Sequence, residues 1–225
     1  MKNSESLQKK IKNTDYAKKI LFSLLPGTLL LACLLSLTPN RAVAQEIQTL
    51  FSGDISHGGF GGPVVRIGTL DGSGAVWVGG RGGWIINMSN RHSISIGGGG
   101  YGLATEHRLP NPLDPSRDEL AAIGYGGFEL EYTNQTYRLV HLTASTLIGA
   151  GGFTIRDREM NISDENPNAF FVMEPGLHAE LNLTSFFRVA AGASYRFTSG
   201  VNKGGFRDSD ISGLNAVITL KFGSF

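Results

Sequence analysis

The sequence predicts an all-β chain: an eight-stranded antiparallel transmembrane β-barrel preceded by an N-terminal signal peptide. Three observations carry that expectation. The first 44 of 225 residues have the layout of an export signal, the remainder divides into eight segments that alternate apolar and polar side chains, and the connections between those segments, apart from a tight first hairpin, alternate short and long.

The signal opens with the basic, polar MKNSESLQKKIKNTDYAKKI and continues as an apolar run from Leu21 to Leu37. Ala42-Val43-Ala44 supplies an A-x-A site, so residues 1–44 read as a signal peptide whose removal leaves 181 residues. Two alternatives stand beside cleavage. One is a retained membrane anchor, for which the run is short and interrupted by Pro26-Gly27. The other is acylation at Cys33, although the apolar run continues past it as LLSL. Without the signal the chain has 13 basic and 17 acidic residues, a net of −4, so no nucleic-acid partner is expected. Cys33 is the only cysteine, and the exported part therefore has no disulfide and no thiolate metal site. Residues 45–57, QEIQTLFSGDISH, form a short N-terminal segment, and the barrel is expected over 58–225.

Strand segments fall near 60–69, 75–87, 93–104, 120–133, 137–152, 169–183, 186–198 and 211–222, without helical periodicity. The first two join tightly at Leu70-Asp71-Gly72-Ser73-Gly74. Tight connections also lie at Met88 to His92, at Thr133-Asn134-Gln135-Thr136 and at Thr184-Ser185. Long polar connections follow the third, fifth and seventh segments: EHRLPNPLDPSRD, RDREMNISDENPN and SGVNKGGFRDSD. A soluble sandwich has no need of this alternation, whereas an outer-membrane barrel has short periplasmic turns and long outer loops.

The second and third segments, AVWVGGRGGWIIN and SISIGGGGYGLAT, contain a literal G-x-G-x-x-G at Gly97, Gly99 and Gly102. A dinucleotide fingerprint needs a helix to begin at those glycines, and Pro110, Pro112 and Pro115 follow instead, so no cofactor is expected. In a narrow barrel mid-strand glycines supply curvature and leave room for bulky interior side chains. Facing is clearest in the later segments. Phe128, Leu130 and Tyr132 oppose Glu129 and Glu131; Phe171, Met173 and Leu177 oppose Glu174, His178 and Glu180; Tyr195 and Phe197 oppose Arg188 and Arg196; Ile218, Leu220 and Phe222 oppose Thr219 and Lys221. Aromatics gather at both strand ends, with Tyr132, Tyr137, Phe186, Phe187, Phe222 and Phe225 near the short turns and Phe153, Phe170 and Phe197 near the long loops, as a lipid-facing band requires.

On these features the sequence resembles the small eight-stranded outer-membrane β-barrels of double-membraned bacteria, over residues 58–225, and GGFGGPVV, GGRGGWIIN and GGGGYGL are similar to segments of a glycine-rich group of such barrels. The resemblance implies a fold and no activity. It also implies that the terminal strand, AVITLKFGSF, addresses the barrel-insertion machinery through a C-terminal aromatic. Phe225 is out of step with Ile218, Leu220 and Phe222, so either Phe222 is the operative aromatic or a bulge restores register.

Because some barrels of this kind modify lipids, nucleophile and base pairs matter. His141 and Ser145 share a face but lie about 13 Å apart at ~3.3 Å per residue, too far to bond. A serine on another strand remains open as a partner for His141. His178 between Glu174 and Glu180 is no metal set. The expected alternative is an interior ion network of Arg66, Arg81, Glu129, Glu131, Glu174, His178, Glu180, Arg188, Arg196 and Lys221, since charges in a narrow lumen must pair. Asp164-Glu165-Asn166 and Asp208-Ser209-Asp210 lack calcium-loop spacing and read as solvated loop tips. The expected role is therefore structural or surface-interacting, without catalysis, cofactor or metal. Membrane lipid is the expected surround, and any extracellular ligand would meet loops 105–118, 156–168 and 199–210. A lipid-modifying barrel enzyme and a secreted ligand-binding β-sandwich are the alternatives.

Overall fold

Period-two alternation over eight long segments produces a sheet with one apolar and one ionic face, and in the computed structural model that sheet closes on itself. The structure describes residues 55–89, 91–109, 118–158, 162 and 166–225. The expected signal peptide with Cys33, residues 45–54, and Asp164-Glu165 lie outside the described residues.

In chain order the elements are β1 (Ser56–Leu70), β2 (Ser73–Asn87), β3 (His92–Leu103), β4 (Leu120–Asn134), β5 (Val140–Arg156), β6 (Asn168–Asn182), β7 (Phe187–Ser199), the short β8 (Asn202–Lys203) and β9 (Phe206–Arg207), one helical turn α1 (Asp208–Ile211), and β10 (Gly213–Ser224). The closed order is β1-β10-β7-β6-β5-β4-β3-β2, and every pairing is antiparallel. This is an eight-stranded barrel; β8 and β9 pair only with each other. Wall strands of 12 to 17 residues exceed the roughly 9–11 that a tilted strand needs to cross hydrocarbon.

Local chemistry sets the turns. Asp71 and Gly72 both have positive φ, 48° and 73°, the requirement of a two-residue type I′ hairpin. Thr184 Oγ1 accepts the N–H groups of Phe186 (3.3 Å) and Phe187 (3.0 Å), closing the β6–β7 turn. The β4–β5 turn is longer than expected: Gln135 takes φ 58°, the Arg138 N–H donates to the Gln135 carbonyl at 3.0 Å, and β5 begins at Val140 instead of residue 137. Two prolines thin the ladder. The β1–β10 pairing passes from Gly61↔Phe222 to Val64↔Thr219 around Pro63, and β6–β7 passes from Met173↔Phe197 to Gly176↔Ser194 around Pro175, since proline has no N–H to give.

Parity decides the two faces. Phe128, Leu130, Tyr132, Phe171, Leu177, Tyr195, Phe197, Ile218 and Phe222 are exposed on the outside. The expected loop-side aromatic belt needs correction: Phe153 and Phe170 are buried in the lumen, in step with Leu147 and Glu174, which leaves Phe171, Tyr195 and Phe197 outside. The β1–β10 register runs unshifted from Ile67↔Ala216 to Gly59↔Ser224, so no bulge restores Phe225; Phe222 is the outward aromatic, stacked on Phe187 at 4.7 Å.

Interior glycines leave the space expected of them. A Cβ on Gly99 would stand 2.6 Å from the Tyr101 hydroxyl and 2.7 Å from the Glu129 carboxylate, and one on Gly151 would collide with the Phe170 ring. The loop-side end is filled by an apolar cap of Leu70, Phe153, Ile155, Phe170 and Val172, closed by Val201, Phe206 and Ile211 from the segment between β7 and β10. Phe206 packs edge-on to Phe153 at 5.3 Å. Asp208 and Asp210, expected as solvated tips, instead hold this segment: Asp208 Oδ1 accepts the Val201 N–H and Asp210 Oδ2 the Arg207 N–H, each at 2.7 Å, and the Asp71 N–H bonds the Asp210 carbonyl at 2.9 Å.

Candidate functional site

Inward parity on β1, β2, β4, β6, β7 and β10 aims the ionic residues at one another, and barrel curvature brings them into reach. Lys221 Nζ lies 2.6 Å from both Glu131 and Glu180; Glu180 meets Arg188 at 3.2 Å; Glu131 meets Arg81 at 2.7 Å; Arg81 meets Glu129 at 2.6 Å; and Glu129 meets Arg66 at 3.6 Å. Arg66 then bonds Glu174. The result is a continuous chain, Arg188–Glu180–Lys221–Glu131–Arg81–Glu129–Arg66–Glu174, in which the sign alternates at every step and four cations balance four carboxylates. Hydroxyls add hydrogen bonds to two of the carboxylates: Tyr101 donates to Glu129 (2.6 Å) and Tyr125 to Glu174 (2.8 Å). Such satisfaction is what makes buried charge tolerable.

Two residues expected in this network bind otherwise. Arg196, fully buried, has no carboxylate at ion-pair distance among the described residues. Its guanidinium lies over the Trp77 ring, 4.1 Å from the centroid, and donates to the Ile211 carbonyl (2.9 Å) and the Tyr125 hydroxyl (3.3 Å). It thereby ties the loop-side cap to the wall. His178 has no carboxylate partner either; its Nε2 bonds Ser145 Oγ at 3.0 Å, and its Nδ1 is buried without a hydrogen bond. Among the described residues His141 meets no serine; its Nε2 lies 3.4 Å from Glu180 and its Nδ1 3.2 Å from the Arg138 carbonyl.

Ser145–His178 is the pairing that the sequence reading missed. Its only signal was shared inward parity on β5 and β6, which leaves the partner undetermined until the register (Thr143↔His178, Ser145↔Gly176) is known. As chemistry it is a hydroxyl and an imidazole without an orienting acid, placed inside the wall and not at a rim. Among the described residues no cluster of His, Asp or Glu is arranged to hold a metal ion. At the short-turn end the lumen opens into a cavity of about 700 Å³ lined by Asn87, Ser89, Arg91, Tyr137, Arg188 and Phe225, where the Arg188 guanidinium covers the Phe225 ring at 3.8 Å. The cap closes the opposite end. A filled lumen inside an apolar exterior is the construction of a small transmembrane barrel of the outer-membrane type.

No family model and no curated protein matches the chain. Solved structures match it in fold. Neisserial surface protein A aligns with 11% identity over 76% of this chain and 97% of its own, at a TM-score of 0.42. Ail, the attachment invasion locus protein of Yersinia pestis, in its complex with the heparin analogue sucrose octasulfate, aligns with 11% identity over 76% of this chain and 99% of its own, at 0.48. The N-terminal β-barrel domain of Pseudomonas aeruginosa OprF aligns with 11% identity over 74% and 96%, at 0.42.

Proposed function

We propose that residues 1–44 export the chain, that Phe222 in its terminal strand addresses the insertion machinery, and that the barrel stands in the outer membrane as a non-conducting, non-catalytic support for its loop face. The observation that supports this most is the combination of an apolar exterior with a lumen filled by a charge-balanced chain of eight ionic side chains and capped at one end. A wall of that kind is stable only in lipid, and a lumen of that kind leaves no water path. The short turns at Met88–His92, Thr133–Thr136 and Thr184–Ser185 then lie in the periplasm and loops 105–118, 156–168 and 199–210 outside, where an extracellular ligand would bind.

Membrane fractionation followed by gel electrophoresis with and without boiling tests the location; recovery in a detergent-free soluble fraction would overturn it. Epitope tags test the direction: labelling on intact cells is expected at Asn111, Asn166 and Lys203 and absent at Asn134, and the reverse pattern would invert the topology. The Ser145–His178 hydrogen bond favours a second reading, a lipid-modifying barrel enzyme. A fluorophosphonate probe separates the two, since labelling that disappears in Ser145→Ala would establish the serine as a nucleophile, whereas an unlabelled chain supports the non-catalytic role.

A further inference from the structure

Several outward glycines answer to nothing inside the barrel. Gly100, Gly102 and Gly152 have ordinary backbone angles, and a Cβ on any of them would meet no atom within 4 Å; on Gly124 it would meet only the Tyr101 carbonyl, at 3.6 Å. No turn, close approach or left-handed backbone requires glycine there, yet each costs about 0.5–1 kcal/mol relative to alanine. The register makes them neighbours through Gly102↔Gly124 and Gly124↔Gly152. Where the other loop-side strands present Phe171, Tyr195 and Phe197 outward, this side presents bare backbone.

Gly102, Gly124 and Gly152 floor a groove of about 680 Å³, within the span of small-molecule sites, about 300–1,000 Å³. Beside the floor lie Ala122 and Thr154, and at the rim, where β5 leaves the wall, lie Arg156, Arg158 and Glu106. Asp118 is shared between Arg158 (3.1 Å) and Arg108 (3.0 Å), so one carboxylate faces two guanidinia, and the groove itself is lined by two arginines and one carboxylate, Glu106. An apolar, side-chain-free floor that ends in guanidinia at the rim has the polarity of an amphiphile lying along the wall. Planar guanidinium forks suit phosphate in particular. We propose that this groove holds one phosphate-bearing membrane lipid, with an acyl chain along Gly102, Gly124 and Gly152 and the phosphate on Arg156 and Arg158. The inference rests on the barrel's lying in a membrane.

The test uses the full exported chain, purified in detergent and inserted into phosphatidylcholine nanodiscs with a minority of phosphatidylglycerol. Unboiled gel migration establishes insertion first, so a chain that fails to insert counts against the outer-membrane reading and is set apart from a failed lipid site. Native mass spectrometry then counts retained lipids. The wild-type chain is expected to retain one phosphatidylglycerol, enriched about tenfold over its share of the disc. Arg156→Ala with Arg158→Ala should abolish the enrichment, and Gly124→Phe or Gly152→Phe, each pointing into open space, should abolish retention. Millimolar inorganic phosphate should leave the lipid bound. Retention in proportion to abundance, enrichment that survives in the double arginine variant, displacement by inorganic phosphate alone, or paired barrels in place of a bound lipid would each overturn the proposal.

Discussion

Lys221→Met would break the ion chain at its third member. The ammonium is buried, lies 2.6 Å from Glu131 and from Glu180, and has no other carboxylate among the described residues at ion-pair distance. Methionine keeps the length of the stem and removes one of four cations, so three face four carboxylates. Both acids keep a second partner, Arg81 at 2.7 Å for Glu131 and Arg188 at 3.2 Å for Glu180, so the deficit is one buried charge and not two. Stranding one buried charge costs about 3–5 kcal/mol. At a urea slope of about 2 kcal/mol per molar, the unfolding midpoint should fall by about 1.5–2.5 M. The assay is a urea titration of the barrel in phospholipid vesicles, read by unboiled gel migration. Adding Glu131→Gln to Lys221→Met restores the charge balance and should recover at least half of the loss. A midpoint shift under about 0.5 M, or a double variant weaker than the single one, would refute the view that the lumen is held as one balanced unit.

Gly99→Val should cost about 1–3 kcal/mol, because its Cβ enters the space of the Tyr101–Glu129 hydrogen bond, whereas Gly100→Val on the open face should stay within about 0.5 kcal/mol; the same urea titration distinguishes them. Phe206→Ala removes the ring that seals Phe153 and should destabilise the cap by about 3–5 kcal/mol, seen as faster proteinase cleavage between β7 and β10 on intact cells; unchanged cleavage would mean that the cap is not held by this contact. In planar bilayers the wild-type barrel should show no steady ohmic channel, and reproducible conductance would contradict a filled lumen.

The strands and their facing were legible because each strand repeats one simple rule: every second side chain is apolar, and the ions keep to the other parity. Glu129, Glu131, Glu174, Glu180 and Lys221 all face inward as that rule requires. Phe153 and Phe170 were misplaced because closeness to a loop was weighed above parity, which already put Phe153 in step with Leu147 and Phe170 in step with Glu174. What parity cannot supply is height around the barrel. Which carboxylate meets which cation depends on stagger accumulated over eight strands, so neither Arg196 on Trp77 nor Ser145 against His178 could be read from one strand at a time. The glycines carried a second ambiguity. Gly99 and Gly100 look alike in sequence, yet one yields space to a tyrosine and the other faces outward.

The ring closes between its first strand and its last, with Gly59↔Ser224 as the outermost pair on the C-terminal side. Until residues 213–224 have been made, β1 and β7 each present a row of unpaired peptide groups, and hydrocarbon offers those groups no partner. A chain interrupted anywhere before β10 is therefore not a smaller barrel but an open ribbon with two adhesive borders. Closure of the wall is therefore decided by the twelve residues of β10, and by no earlier strand alone.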